Sequence, residues 1–294
     1  VHRQCNLAFS NKIVLTCGEQ GEWRKRMAEN VSLSLEGKKC LVVGASAGIG
    51  KATAIDLARL GGDVVFVGRS QEKLDAAIAV AGGRALSADI SDPEAAVQMV
   101  NDAAKLLGGL DVVLICVGVS RLGLVQDAAP DLWKEVFETN VIGPAMVVKG
   151  AVKHLSPGGY LGMMSSESVG MPYPGLTPYA SSKAALEEVV RGVRAEHPEL
   201  RVSCVRVGAT GDTEFARDFD PELAMELTQV WVKRGNIPAH NMTSESLGGT
   251  IARFIATVMQ FTDIDPYTID LRGTGGPFFG DLNELMAHYA EQMG

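Results

Sequence analysis

The stretch Val42-Val43-Gly44-Ala45-Ser46-Ala47-Gly48-Ile49-Gly50, with KATAIDLARL at 51–60, decides the fold. An apolar run ends in three glycines, and a helical pattern starts at once. Gly44 permits a tight turn, Gly48 lets the backbone approach a phosphate, and Gly50 lets the helix pack closely on the strand. The N-terminus of that helix would aim unpaired N–H groups and a partial positive charge at a pyrophosphate. Glycines alone are a weak sign, but between a strand and a helix they mark a dinucleotide site. Gly44, Ser46, Gly48, Ile49 and Gly50 are the expected contacts.

Outward from this loop, apolar runs of strand length alternate with helical patterns. Lys39–Gly44, Asp63–Gly68, Arg84–Ala88, Asp111–Val117, Tyr160–Ser165, Arg201–Val207 and Tyr267–Leu271 read as strands. Their nearly continuous apolar character predicts a parallel sheet covered on both faces. Helices are expected after Ser70, after the Asp92-Pro93 cap, and over Asp131–His154, Tyr179–His197 and Ser246–Gln260. The pattern predicts one α/β domain of the Rossmann type, a doubly wound parallel sheet of about seven strands, over 27–294. Residues 212–241 break the alternation after the sixth strand and read as an amphipathic helical insertion, either plain packing or a substrate lid, the lid being favoured by its place after a strand's carboxyl end. Residues 1–26 lack an apolar face and are expected to be a disordered tail outside the fold, with Met27 as the working start.

Composition narrows the function. The chain has 294 residues, is 46% hydrophobic and carries a net charge of -8, which argues against general affinity for nucleic acid or anionic membrane. Five cysteines without a CxxC pair and scattered histidines suggest neither a disulfide framework nor a metal site, and fit a reducing, cytoplasmic setting.

The second strand, VVFVGRS, holds the position that selects the cofactor. An acid there would accept hydrogen bonds from the adenosine ribose; the chain has Gly68 followed by Arg69. A guanidinium can clamp a 2′-phosphate, so NADP(H) is the expected cofactor. Farther on, Pro178-Tyr179-Ala180-Ser181-Ser182-Lys183 opens a helix. Residues four apart share a face, so the phenol and the ammonium can address one ligand. A neighbouring Lys⁺ and a cationic nicotinamide would draw the Tyr179 pKa down toward the working range.

The glycine loop, the YxxxK and Ser166, which precedes Tyr179 by 13 residues, together resemble the short-chain dehydrogenase/reductase family. Its loop reads TGxxxGIG, with Val43 here in place of the threonine. The resemblance runs roughly from Leu35 to Gly276 and implies an oxidoreductase moving a hydride between NADP(H) and a carbonyl or secondary alcohol. By resemblance, Ser166 would bond the substrate oxygen, Tyr179 would transfer its proton, Lys183 would hold the nicotinamide ribose, and Asn140 would support a proton relay. Ser165 and Ser168 are alternatives to Ser166. Asp89 and Ile90 would lie by the adenine. Val117 and Gly118 stand in a changed NNAG motif, and Gly208, Thr210 and Thr213 in a PGxxxT-like segment around the nicotinamide. The family pattern further implies a homodimer or homotetramer. Leu122, Met171, Tyr173, Phe215 and Trp231 suggest a pocket for an apolar substrate. The departures at Val43, Val207 and NNAG keep one alternative open, a catalytically weak NADP(H)-binding sensor.

Overall fold

The computed structural model describes residues 32–238, 240–274 and 281–293. The expected tail over 1–26 lies outside them, as does Gly276. Residues Ser34–Gly294 gather into one compact unit. Its strands are β1 (Lys39–Val43), β2 (Asp63–Gly68), β3 (Arg84–Ser87), β4 (Leu110–Ile115), β5 (Leu155–Ser166), β6 (Arg201–Val207) and β7 (Thr268–Leu271). All pair in parallel, in the order β3-β2-β1-β4-β5-β6-β7. The seven-stranded sheet inferred from the apolar runs is therefore present. β5 begins five residues earlier than the apolar run suggested, because Leu155 pairs with Leu110 across an irregularity in register.

The helices are α1 (Gly48–Arg59), α2 (Gln71–Ala81), α3 (Pro93–Leu107), α4 (Pro130–Phe137), α5 (Gly143–Ala151), α6 (Thr177–Glu196), α7 (Pro221–Lys233), α8 (Ser244–Gln260) and α9 (Leu282–Met293). Leu41, Val43, Val65, Val67 and Val113 point to one face and bury against α3, α5 and α6 through Met99, Val100, Val147, Leu186 and Val190. Residues of the opposite parity, Val42, Val64 and Phe66, are buried as well. On that side α1 and α8 cross so closely that a Cβ on Gly248 would sit 2.5 Å from Ala52 Cβ. Phe254 of α8 meets the Tyr160 ring edge-on at 6.3 Å. This two-sided burial explains the unbroken apolar runs. None of the helices among the described residues is long and apolar enough to cross a membrane.

One helix differs from the expectation. The single helix read over Asp131–His154 is two, α4 and α5, joined by a π-turn at Glu138–Ile142. The sheet order reverses between β1 and β4, so their carboxyl ends open a crevice, the place where such sheets bind ligands.

Candidate active site

The glycines of the loop act as their positions suggested. Gly44 has φ 91°, and a Cβ there would lie 2.9 Å from the Cys116 backbone. Gly50 packs against the turn so tightly that a Cβ would come within 2.2 Å of the Gly44 carbonyl. Gly48 has φ 53°, and a Cβ there would touch Thr213 and Ser244 at 3.6 and 3.7 Å. The α1 N-cap residue, Ala47, offers no side-chain acceptor to the first N–H groups, which suits them to a phosphate. A bulky side chain at any of these glycines would fill the cradle, so the residues present fit a dinucleotide.

All the expected cofactor residues line one cleft of about 430 Å³: Gly44, Ser46, Gly48, Ile49, Gly50, Arg69, Asp89, Ile90, Val117, Gly118, Tyr179, Lys183, Gly208, Thr210 and Thr213. Ser166 lines it too, whereas Asn140 stands behind it. The buried Asn140 amide is used structurally. It accepts from Val119 N–H at 2.8 Å and donates to Val119 O and to Ser182 Oγ, each at 2.9 Å. The π-turn positions this residue, a common use of such turns.

Lys183 Nζ donates to Met164 O at 2.9 Å and Val117 O at 3.2 Å, and lies 5.9 Å from the centre of the Tyr179 ring. Burial lowers its pKa to about 8. Burial also pushes the Tyr179 phenol up to about 12, opposed by its hydrogen bond with Ser166 and reinforced by the Glu167 charge. The lowering expected from Lys183 is thus not found in the protein alone, where the shift runs upward. The phenol has left water, and the ammonium is turned to backbone carbonyls. A neutral phenol can serve as a proton donor.

The three serines separate by their partners. Ser165 Oγ donates to Glu187 Oε1 at 2.7 Å, in a buried group with Arg206. Ser168 Oγ is buried without a hydrogen-bond partner among the described residues. Ser166 Oγ accepts from Ser168 N–H at 3.2 Å and is the one of the three that opposes the rise of the Tyr179 phenol.

Beyond Tyr179, residues 212–238 form a wall. Phe215 stacks edge-on with Tyr179 at 5.2 Å and with Phe219 at 5.4 Å. Trp231 of α7 meets Tyr173 edge-on at 5.5 Å and donates to Pro174 O at 2.9 Å. Arg121 ties the wall down, reaching Asp218 at 3.0 Å and Glu135 of α4 at 2.5 Å. Tyr173, Phe215 and Trp231 line the cleft as expected. Leu122 and Met171 do not; they pack with Tyr173 and Trp231 in one apolar cluster.

Several cleft residues escaped the sequence reading, Glu167 and Glu214 among them. Glu167 follows Ser166 and is buried, its Oε1 accepting from the Tyr173 hydroxyl at 2.9 Å. That hydroxyl also stands 2.8 Å from the Asn236 carbonyl. Burial raises the Glu167 carboxyl above the usual range, against hydrogen bonds from Tyr173 and the Ala209 backbone. In a serine-rich stretch a lone acid reads as solvated, and nothing in its spacing signals burial. Among the described residues no cluster of His, Cys, Asp and Glu is arranged for a metal.

Known proteins resemble this chain in sequence and fold. The family model for short chain dehydrogenases matches residues 38–224. The trihydroxynaphthalene reductase of Colletotrichum orbiculare is 34% identical over 197 residues, covering 64% of this chain and 69% of that one. Versicolorin reductase of Emericella nidulans is 32% identical over 207 residues, 66% of this chain and 78% of that one. The crystal structure of a Burkholderia cenocepacia short chain dehydrogenase in complex with NADP superposes with a TM-score of 0.69. It is 28% identical and covers 82% of this chain and 98% of that one. The match takes in β1 to the start of α7, and with it the glycine loop, Ser166, Tyr179 and Lys183. The chain belongs to the short chain dehydrogenase family of oxidoreductases.

Proposed function

We propose that the chain is an NADP(H)-dependent oxidoreductase that interconverts a carbonyl and a secondary alcohol, with Ser166, Tyr179 and Lys183 as its catalytic residues and Asn140 positioning them. The observation that carries this reading is the buried Tyr179 phenol, in contact with Ser166 and open to the same cleft as the glycine loop. When bound, NADPH supplies the hydride. Ser166 donates a hydrogen bond to the carbonyl oxygen, and the neutral Tyr179 phenol gives that oxygen its proton. General acid catalysis of this kind contributes about 10²–10⁴-fold. Lys183, charged below a pH of about 8 and set beside Val117 and Gly118, would hold the nicotinamide end.

NADP(H) is favoured over NAD(H) because Gly68 stands where an acid would bind the ribose and the exposed Arg69 follows it into the cleft. Bound NADP in the Burkholderia relative supports the same choice. Residues 212–241 act as a lid: Phe215 covers Tyr179, and Trp231 and Tyr173 offer apolar surface to the substrate. Ala239 of this segment lies outside the described residues. The reductase names of the relatives support turnover in the direction of carbonyl reduction.

The test is to follow NADPH absorbance with purified protein across a panel of ketones, aldehydes and quinones. Cofactor consumption with apolar or aromatic ketones is the expected result. Tight NADPH binding with silence across the whole panel would instead assign the chain to a cofactor-binding sensor.

A further inference from the structure

At the β2 end of the cleft, one carboxylate of the wall is gripped by several cations. Glu214 Oε1 meets Lys73 Nζ at 2.6 Å, and its Oε2 meets Arg217 at 2.8 Å. The Lys73 hydrogen bond is the main cause holding the Glu214 carboxyl below the usual range, and Arg69 adds to it. Lys73 lies four residues after Arg69, in the first turn of α2, whose N-cap is Ser70. Glu214, Arg69 and Arg217 line the cleft. The side chains of Lys73, Glu214 and Arg217 are about half exposed.

Ion pairs this exposed are individually weak, because water and salt screen them. A phosphate monoester carries nearly two charges and three acceptor oxygens, against one charge on a carboxylate. Lys73 and Arg217 both pair with Glu214, and the charge of Arg69, the residue read as selecting NADP(H), acts on the same carboxylate. We propose that Glu214 competes with the 2′-phosphate of the cofactor for Arg69, Lys73 and Arg217, which makes Lys73 and Arg217 further determinants of cofactor choice. Binding of the phosphate exchanges one carboxylate for a dianion and frees the start of the lid segment from α2. The inference rests on the reading of this cleft as an NADP(H) site.

Calorimetric binding of 2′,5′-ADP and 5′-AMP to the full chain tests it without any turnover. The wild type should bind 2′,5′-ADP about tenfold or more tightly than 5′-AMP. Glu214→Gln should strengthen 2′,5′-ADP binding by about two- to fivefold, as expected when an exposed pair is removed. Lys73→Ala should weaken it by a similar factor. Binding of 5′-AMP should stay within about twofold in both variants, which also shows that they are folded. Unchanged or weakened 2′,5′-ADP binding in Glu214→Gln, with the wild type still discriminating, overturns the competition and leaves the NADP(H) reading intact. A wild type that binds both nucleotides equally overturns that reading, and the competition with it.

Discussion

Asn140 holds both backbone groups of Val119: its Oδ1 accepts the N–H at 2.8 Å and its Nδ2 donates to the carbonyl at 2.9 Å. The second Nδ2 proton goes to Ser182 Oγ at 2.9 Å. One amide thus joins the loop after β4, which floors the cleft, to α6, which carries Tyr179 and Lys183. Replacing it leaves buried partners unpaired, at a cost of about 1–3 kcal/mol for each.

Asn140→Ala should therefore lower the denaturation midpoint and reduce kcat together, because the floor and α6 are no longer registered. Asn140→Asp keeps the acceptor for Val119 N–H and loses both donors, so its loss should be intermediate. Urea titration beside steady-state kinetics makes the comparison. An alanine variant as stable as the wild type would show that the three bonds contribute nothing net.

The pH profile should report Lys183. Burial lowers its pKa to about 8, so it is an ammonium below that pH and a neutral amine above it. Because kcat/KM reflects groups of the free enzyme, carbonyl reduction should hold a plateau below pH 8. It should then fall as pH rises through that value, by about tenfold per unit for loss of one proton. Lys183→Arg, charged throughout, should abolish that limb even at reduced activity. A wild-type profile that stays flat to pH 10 would mean the ammonium is not required.

The proposed preference for NADP(H) turns on Arg69. A charge-assisted bond to the 2′-phosphate should supply about 1.5–3 kcal/mol, or roughly ten- to a hundredfold in affinity. Arg69→Ala should weaken NADPH binding by that factor and leave NADH nearly unchanged, with the gap narrowing at high salt. Equal losses for both would make Arg69 a structural residue. An acid at position 68 is not a simple converse test. A Cβ on Gly68 would lie 2.8 Å from Ser46 Cβ and Oγ. Gly68→Asp therefore needs Ser46→Gly beside it to move preference toward NADH without distorting the phosphate loop.

The sheet was legible because burial on two faces leaves an unbroken apolar run, and each of β1, β2 and β4 carries one. The loop glycines were legible because their constraints are local: a positive φ at Gly44 and no room for a Cβ at Gly50. The π-turn was not, since residues Asp131–His154 keep a helical rhythm while one turn widens around Asn140. The electrostatics of the site escaped for a similar reason. Glu167 is buried by Tyr173, Asn236 and the β6 loop, which converge from distant parts of the chain. Glu214 finds Lys73 at a separation of 141 residues. The spacing of Tyr179 and Lys183 showed that they share a helix face, yet the direction of the Tyr179 shift follows from the surrounding walls, which only the fold supplies.

Tyr179→Phe removes one oxygen from a ring otherwise packed against Phe215, so the fold and the cofactor cleft should stand. Single-turnover oxidation of NADPH by a ketone substrate, followed alongside NADPH binding, isolates the proton donor from everything else. The rate should fall by about 10²–10⁴-fold, while the Kd for NADPH stays within about twofold. A Phe variant that turns over at nearly the wild-type rate would show that the proton comes from elsewhere, and Tyr179 would lose its assigned role.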